Sequence, residues 1–266
     1  MSETIHLVPM STVVASELRK PGRWWVVAAV LAALAAFGGW GHTVYRYGNV
    51  VEEYDSEAAR YDAKWQQYTN VSIGEALVRT LPTLRALPCQ PTCDALDVGC
   101  GTGALAAALR SHFPQWRVTC SDVSAEMLKE AQRARHLQTV VASSESQPFA
   151  DYSFDVVATA SSFHFWPNHT AAVLETTRLL RPGGLFVLSD WSHDFLSCKL
   201  CSTYLFMGGH PPSAYKIWTL QQAQALLVSC GLSETAAFNY QVPLKPFGFP
   251  LFPSWGMMTL LFSRPH

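Results

Sequence analysis

Apolar positions along the chain change their period several times, and each change marks an element. From Trp24 to Gly41 no residue is charged or strongly polar, and Trp24, Trp25 and Trp40 stand at the two ends of the run. At about 1.5 Å per residue, a helix continued through Tyr45 spans a hydrocarbon core of roughly 30 Å, and tryptophan suits both interfaces. The pattern predicts a single transmembrane anchor over residues 24–45, preceded by a mixed tail, 1–23, that ends in Arg19, Lys20 and Arg23. From Val50 to about Leu87 the period becomes helical. Tyr54, Ala58, Tyr61, Trp65 and Tyr68 recur at three- and four-residue steps and form a largely aromatic stripe, either as core or as the cover of a pocket mouth. Residues 46–90 are read as this helical cover.

After a break at Pro88–Thr92, short apolar runs alternate with amphipathic ones. Strands are predicted near Leu96–Val98, Trp116–Cys120, Thr139–Ala142, Phe154–Ala158 and Leu185–Ser189. Helices are predicted over Ala104–His112, Ala125–Arg135 with Ser124 as cap, and Ala171–Leu180. Strands apolar on both faces imply a parallel sheet covered by helices on either side, a doubly wound α/β domain over residues 91–266. Beyond Asp190 the pattern changes. Leu196–Met207 is apolar and aromatic, a helix over Thr219–Ser229 closes at Gly231, and strand-like runs lie near Glu234–Val242 and Gly256–Phe262. Between those runs, Pro243–Pro253 is too rich in proline for a helix. An apolar loop of this kind lines a ligand site or touches a membrane.

Composition narrows the picture. A chain of 266 residues can bury one substantial core. A formal charge of −1 provides no basic field for nucleic acid. Charged residues make up 15 % of the chain, below the roughly 25 % of soluble domains, which fits a membrane segment or a large apolar pocket. Seven cysteines, an odd number, do not form the pattern of a disulfide-stapled scaffold, and a reducing compartment is the simpler reading. Cys89/Cys93 and Cys198/Cys201 would offer four thiolates to zinc if the fold brought them together. The first pair is loosely spaced and bracketed by prolines, and the second lies in an apolar stretch. They are read as small buried hydrophobes, and no metal is expected.

The chemistry concentrates in Ala95-Leu96-Asp97-Val98-Gly99-Cys100-Gly101-Thr102-Gly103, where a strand enters a turn with alternate glycines and a helix follows. Glycine is needed where a Cβ would block a ligand or where the turn visits positive φ. The helix start behind it offers free N–H groups. Gly99, Gly101 and Ala104 also satisfy the dinucleotide G-x-G-x-x-A pattern, which keeps a nicotinamide-dependent oxidoreductase as an alternative. Asp97, at a position usually apolar in dinucleotide folds, suits an amino-acid ammonium. Asp122 ends the next strand, where a carboxylate accepts from ribose hydroxyls or caps the following helix.

Four stretches in order, Ala95–Gly103, Ser121–Leu128, Gln147-Pro148-Phe149 with Ser153–Val157, and Leu180-Arg181-Pro182-Gly183-Gly184, resemble the class I S-adenosylmethionine-dependent methyltransferases, in particular the ubiquinone/menaquinone-biosynthesis-type group. The resemblance covers roughly Tyr54 to Leu188. It implies a Rossmann-like, mostly parallel seven-stranded sheet and S-adenosyl-L-methionine as cofactor. Asp97, Gly99, Cys100, Gly101 and Gly103 would hold the methionine part, Asp122 the ribose, and Val123 and Met127 the adenine. Asp155 would be structural. The family often has aspartate in a Gly-Asp-Ala-Glu-like stretch after the third strand. Here Ala142-Ser143-Ser144-Glu145 puts serine there, so Ser143 or Ser144 would make the adenine contact.

Methyl transfer needs alignment and exclusion of water, and a general base only where the acceptor carries a proton. His164, in Ser161-Ser162-Phe163-His164-Phe165-Trp166 after the fourth strand, is the first base candidate. His193, with Asp190 or Asp194, is the second. Phe163, Phe165 and Trp166 would line an apolar acceptor pocket or simply pack. The expected acceptor is a small lipophilic molecule met at the membrane, with no nucleic-acid partner. A scaffold that binds the methyl donor without activity is the alternative from another class. Arg19, Lys20 and Arg23 against Arg46 would place the domain across the membrane, whereas a methyl donor made in the cytosol places it on the cytosolic side. The cytosolic side is the expectation.

Overall fold

The computed structural model describes residues 50–200, 215–243 and 254–266. The anchor expected over 24–45, Cys201, and most of the Pro243–Pro253 loop lie outside them. Among the described residues no helix is long and apolar enough to cross a membrane.

The elements run α1 (Val50–Arg85), β1 (Asp94–Val98), α2 (Ala104–His112), β2 (Arg117–Asp122), α3 (Ala125–Arg135), β3 (Gln138–Val141), β4 (Phe154–Ala160), a 3-10 turn (Phe163–Phe165), α4 (His169–Leu179), β5 (Leu180–Trp191), α5 (Leu220–Ser229), β6 (Ser233–Pro243) and β7 (Ser254–Ser263). They build one seven-stranded sheet in the order β3-β2-β1-β4-β5-β7-β6. The first five strands are parallel, and β7 runs antiparallel between β5 and β6. The Rossmann-like expectation holds.

Period-two alternation explains both covered faces. Ala95, Val156, Ala158, Leu185 and Val187 pack on one side against Ile73 and Leu77 of α1, Leu105 and Leu109 of α2, and Leu128 of α3. Leu96, Val98, Val157, Phe186 and Leu188 pack on the other against Val173 of α4 and Leu227 of α5. Leu96, Phe186 and Leu188 are fully buried, and each contributes about 1.5–3 kcal/mol. Helix starts are fixed by polar caps: Ser124 Oγ accepts from the Met127 N–H, and Thr219 forms a capping box with Gln222. A third cluster, with Tyr68, Ile217, Val242, Trp255 and Met257, sits where β5 ends and β7 begins.

Two expectations are corrected. The fifth strand begins at Leu180, ahead of the expected Leu185, because Phe154 pairs with Leu180 before the register slips to Val156 and Leu185. Pro182-Gly183-Gly184 is carried inside the strand, and a Cβ on Gly184 would lie 2.8 Å from the Arg181 carbonyl oxygen. Cys89 and Cys93, expected as reduced apolar fillers, form a disulfide. The three-residue loop between them brings the two sulfurs together shortly after α1.

Candidate active site

Chain order reverses between β1 and β4, and at such a switch point the carboxyl ends of the strands part to leave a crevice. A cavity of about 380 Å³ opens there. Its floor is the turn after β1, where Gly99, Gly101 and Gly103 have φ of 68°, 54° and 86°. All three sit in the left-handed region that side chains avoid. Their surroundings differ. A Cβ on Gly101 would meet nothing within 4 Å, so this position leaves the cavity open. On Gly99 it would lie 1.9 Å from Ser162 Oγ, and on Gly103 2.4 Å from Leu137 Cδ1. Gly103, expected among the cofactor contacts, lies outside the cavity lining. It is glycine because α2 starts hard against the Leu137 and Ala131 side chains.

Two acids flank the turn. Asp97 is 1 % exposed, and its Oδ2 accepts from the Ala106 N–H at 3.0 Å. Its Oδ1 is buried with no hydrogen-bond partner among the described residues. Burial, opposed by the Ala106 N–H and reinforced by the charge of Asp122, pushes this carboxyl up to about 7. Such a group costs free energy until a cation reaches it. Asp122 accepts from the Gly101 N–H at 2.8 Å and the Ser124 N–H at 2.9 Å, so it fastens the glycine turn to the start of α3. A carboxylate retains further lone pairs for hydroxyl donors. Val123, Met127, Cys100, Ser143 and Ser144 complete the expected lining. The Ser144 hydroxyl points to Glu145 Oε2 at 3.3 Å, and Glu145 Oε1 accepts from the Asn168 N–H.

α1 forms the roof. Tyr54 and Tyr61 line the cavity, their rings 6.0 Å apart, and burial pushes the Tyr61 hydroxyl up to about 12. Asp55 accepts from Ser124 Oγ at 2.6 Å, and Asp62 accepts from Thr102 Oγ1 at 2.7 Å. Asp62 also pairs with Arg135 at 2.7 Å. The stripe is therefore divided. Ala58 and Tyr68 are buried, Tyr54 and Tyr61 face the cavity, and Trp65 is exposed.

The catalytic candidates fall apart in space. His164 and Asp190 are both buried, with His164 Nδ1 2.8 Å from Asp190 Oδ1. Asp190 thus partners His164 and not His193, the pairing expected from the sequence. His193 lies outside the cavity lining, and its N–H donates to the Trp218 carbonyl. Asp194 accepts from the Leu220 N–H and from Asn239 Nδ2, which makes it a structural tie. Phe165 and Trp166 line the cavity, whereas Phe163 packs in the core beside Trp218.

A family model described as a methyltransferase domain matches residues 96–188, the span that carries the glycine turn, both acids and the loop to His164. Residues 96–188 form a methyltransferase domain of the class I S-adenosylmethionine-dependent type. Within this family the chain is 35 % identical over 189 residues to the malonyl-[acyl-carrier protein] O-methyltransferase of Hahella chejuensis, covering 69 % of this chain and 63 % of that protein. It is 31 % identical over 129 residues to the ubiquinone/menaquinone biosynthesis C-methyltransferase of Rickettsia massiliae, covering 44 % and 49 %. The matched region thus spans only about half to three-fifths of these relatives. A solved methyltransferase in complex with the Haloferax volcanii Trm112 methyltransferase activator shares the fold, with a TM-score of 0.65 at 19 % identity over 80 % of this chain and 98 % of that one.

S-adenosylmethionine is the cofactor of class I methyltransferases, and the cavity fits it on structural grounds. It holds an orphaned carboxylate oxygen for an ammonium, an open space over Gly101, and an apolar wall at Val123 and Met127. Sequence reasoning missed Asp55, Asp62, Ser162 and Glu145. Their positions depend on contacts between distant segments, and no local spacing marks them.

Proposed function

We propose that this chain transfers a methyl group from S-adenosylmethionine to a small hydrophobic acceptor at a membrane surface. The observation that carries this reading is the buried Oδ1 of Asp97, without a partner among the described residues, at the floor of a cavity whose glycine turn is left open at Gly101. The cofactor supplies a methyl group on a positively charged sulfur. Asp97 would hold its ammonium group and Asp122 its ribose hydroxyls, with Val123 and Met127 against the adenine and Ser143 and Ser144 at its edge. Tyr54 and Tyr61 would keep water from the reacting centre.

Two features support the membrane setting. The anchor expected from the sequence runs to Tyr45, and the cavity rim begins at Val50 and Val51. Consecutive residues extend at most about 3.6 Å each, which keeps the rim within about 18 Å of that end. The cavity is also mainly apolar at its acceptor end, with Phe165, Trp166 and Pro167. An acceptor dissolved in the bilayer would meet this mouth by diffusion in two dimensions.

Calorimetry tests the methyl-donor half: the purified protein should bind S-adenosylmethionine and S-adenosylhomocysteine and ignore NAD. Failure to bind the first two sinks the reading. Flotation with phosphatidylcholine vesicles tests the other half. The full chain should float and a chain lacking residues 1–46 should not, whereas equal behaviour of the two would remove the membrane.

A further inference from the structure

We propose that His164, held by Asp190, is the general base of the reaction, and that the acceptor is a hydroxyl compound, best a phenol, rather than a carboxylate. The proposal rests on the methyltransferase reading and specifies the acceptor class for that site.

The dyad is built like a base and not like a cap. Asp190 accepts from the His164 N–H at 2.9 Å, from the Trp191 N–H at 2.7 Å and from His164 Nδ1 at 2.8 Å. An ionised carboxylate only accepts, so it holds the ring proton on Nδ1 and leaves Nε2 as a bare lone pair. Nε2 is buried and has no partner among the described residues. A histidine kept for folding uses its buried nitrogens. His169 shows this a few residues on, where Nε2 donates to the Phe163 carbonyl at 2.9 Å and burial holds the ring's pKa down at about 4.

The surroundings select the acceptor. The His164 ring stacks on Trp191 at 4.3 Å and 16°, and Trp255 meets Trp191 edge-on at 5.3 Å. Flat rings of this kind favour a planar guest. A hydroxyl can donate to a bare imidazole nitrogen, whereas a carboxylate can only accept. A phenol, whose hydroxyl ionises near 10, gives up its proton to a neutral imidazole far more readily than an aliphatic alcohol does. His164 itself lies behind the cavity lining, and Phe165 links the two: its ring is 4.2 Å from His164, lines the cavity and meets Tyr54 edge-on at 5.7 Å. The acceptor would enter as Phe165 turns aside.

The step balances. The acceptor O–H bond breaks and its proton passes to His164 Nε2, while a bond forms from the acceptor oxygen to the methyl carbon. The electron pair of the sulfur–methyl bond stays on sulfur, leaving a neutral thioether. Positive charge leaves the sulfonium and reappears on the imidazolium beside Asp190, so the net charge of the site does not change.

The test follows radiolabelled methyl transfer from S-adenosylmethionine to 4-nonylphenol, 1-decanol and decanoate by the full chain, with calorimetry of methyl-donor binding in parallel. The phenol should be the preferred substrate. His164→Gln should bind the methyl donor normally and lose roughly 10²- to 10⁴-fold in phenol turnover. Asp190→Asn should lower kcat with little change in KM for the methyl donor. It gives a second reading should His164→Gln fail to fold. Nitrogen chemical shifts of the His164 ring should show a proton on Nδ1 and none on Nε2. Wild-type protein that binds the methyl donor yet prefers decanoate, or methylates no hydroxyl probe, overturns the proposal. So does a His164→Gln variant with undiminished phenol turnover. Protein that binds no methyl donor at all sinks the methyltransferase reading instead.

Discussion

On one side of the cleft, Asp97, Gly101 and Ala106 come from a single strand–turn–helix unit, and Asp122 follows at the end of the next strand. On the other side, Tyr68 comes from α1, His164 from the 3-10 turn, Trp191 from β5 and Trp255 from β7. Tyr68 bonds Met257 across 189 positions of chain. The first side is made by local backbone geometry, and its chemistry is electrostatic. The second is made by sheet pairing and ring packing, and its chemistry depends on which distant side chains meet. The two sides should therefore respond differently to substitution.

The largest expected effect is at Asp97. Asp97→Asn keeps an acceptor for the Ala106 N–H but removes the charge that would meet the ammonium. Breaking a buried ion pair costs about 3–5 kcal/mol, so methyl-donor affinity should fall roughly 10²- to 10⁴-fold in calorimetry. Stability should move the opposite way. The folded carboxyl titrates at about 7, while the unfolded one titrates near the usual 3.9. Between those values the folded state holds a proton that the unfolded state has released, so free protein loses stability as pH rises through this window. Asn removes that loss. The variant should melt higher than wild type at pH 8 and close to it at pH 4, as thermal scans without ligand will show. Affinity for the methyl donor should rise with pH through about 7 in wild type and stay flat in the variant. Unchanged binding by Asp97→Asn would mean that the glycine side is shaped by sterics alone.

Next come the glycines, which separate cavity from packing. Gly101→Val places a side chain in open space at a φ of 54° and should weaken methyl-donor binding about 10- to 100-fold. Gly103→Ala drives a methyl group into Leu137 and should cost about 1–3 kcal/mol of stability, with binding by the folded fraction intact. If both variants lose binding alike, Gly103 belongs to the cavity after all.

The same division explains what was legible in the sequence. Asp97, the alternate glycines and Asp122 are marked by a strand, a turn and a spacing, and the apolar runs name every strand of the sheet. The pairing of Asp190 was misread because residues 190–194 place His193 beside it in sequence. The strand ends at Trp191, so His193 lies beyond it, and the turn after β4 brings His164 to Asp190 instead. Gly99 and Gly103 carry the right motif for a partly different reason, close approach to Ser162 and Leu137, which spacing does not reveal. Trp255 stood in the sequence only as the approach to a strand. Its place opposite Trp191 follows from antiparallel pairing of β7 with β5, a non-local choice.

A smaller effect is expected on the ring-packed side. Trp191→Phe keeps a ring against His164 but removes the 2.9 Å bond from Trp191 Nε1 to the Tyr68 hydroxyl. The loss should be about 1 kcal/mol of stability. KM for the acceptor should rise and methyl-donor affinity should not change, since neither Trp191 nor Tyr68 lines the cavity floor.

The smallest effect tests how the two sides communicate through α1, which touches both. Its N-terminal half is tied down by Asp55 on Ser124 and by Asp62 on Thr102 and Arg135, and its middle reaches Trp191 through Tyr68. The Asp62–Arg135 pair is partly exposed, so its direct worth is about 0.5–1 kcal/mol. Asp62→Asn should leave the melting temperature nearly unchanged, because the core under α1 is set by Ile73, Leu77 and Leu84, well beyond the tie. Loosening the tie should let the roof over Tyr54 and Tyr61 open more often. Stopped-flow release of S-adenosylhomocysteine should then quicken by about two- to fivefold, the Boltzmann equivalent of that energy. Release at the wild-type rate would mean that α1 is a fixed wall, and that exchange of product for a new methyl donor uses another opening in the cavity.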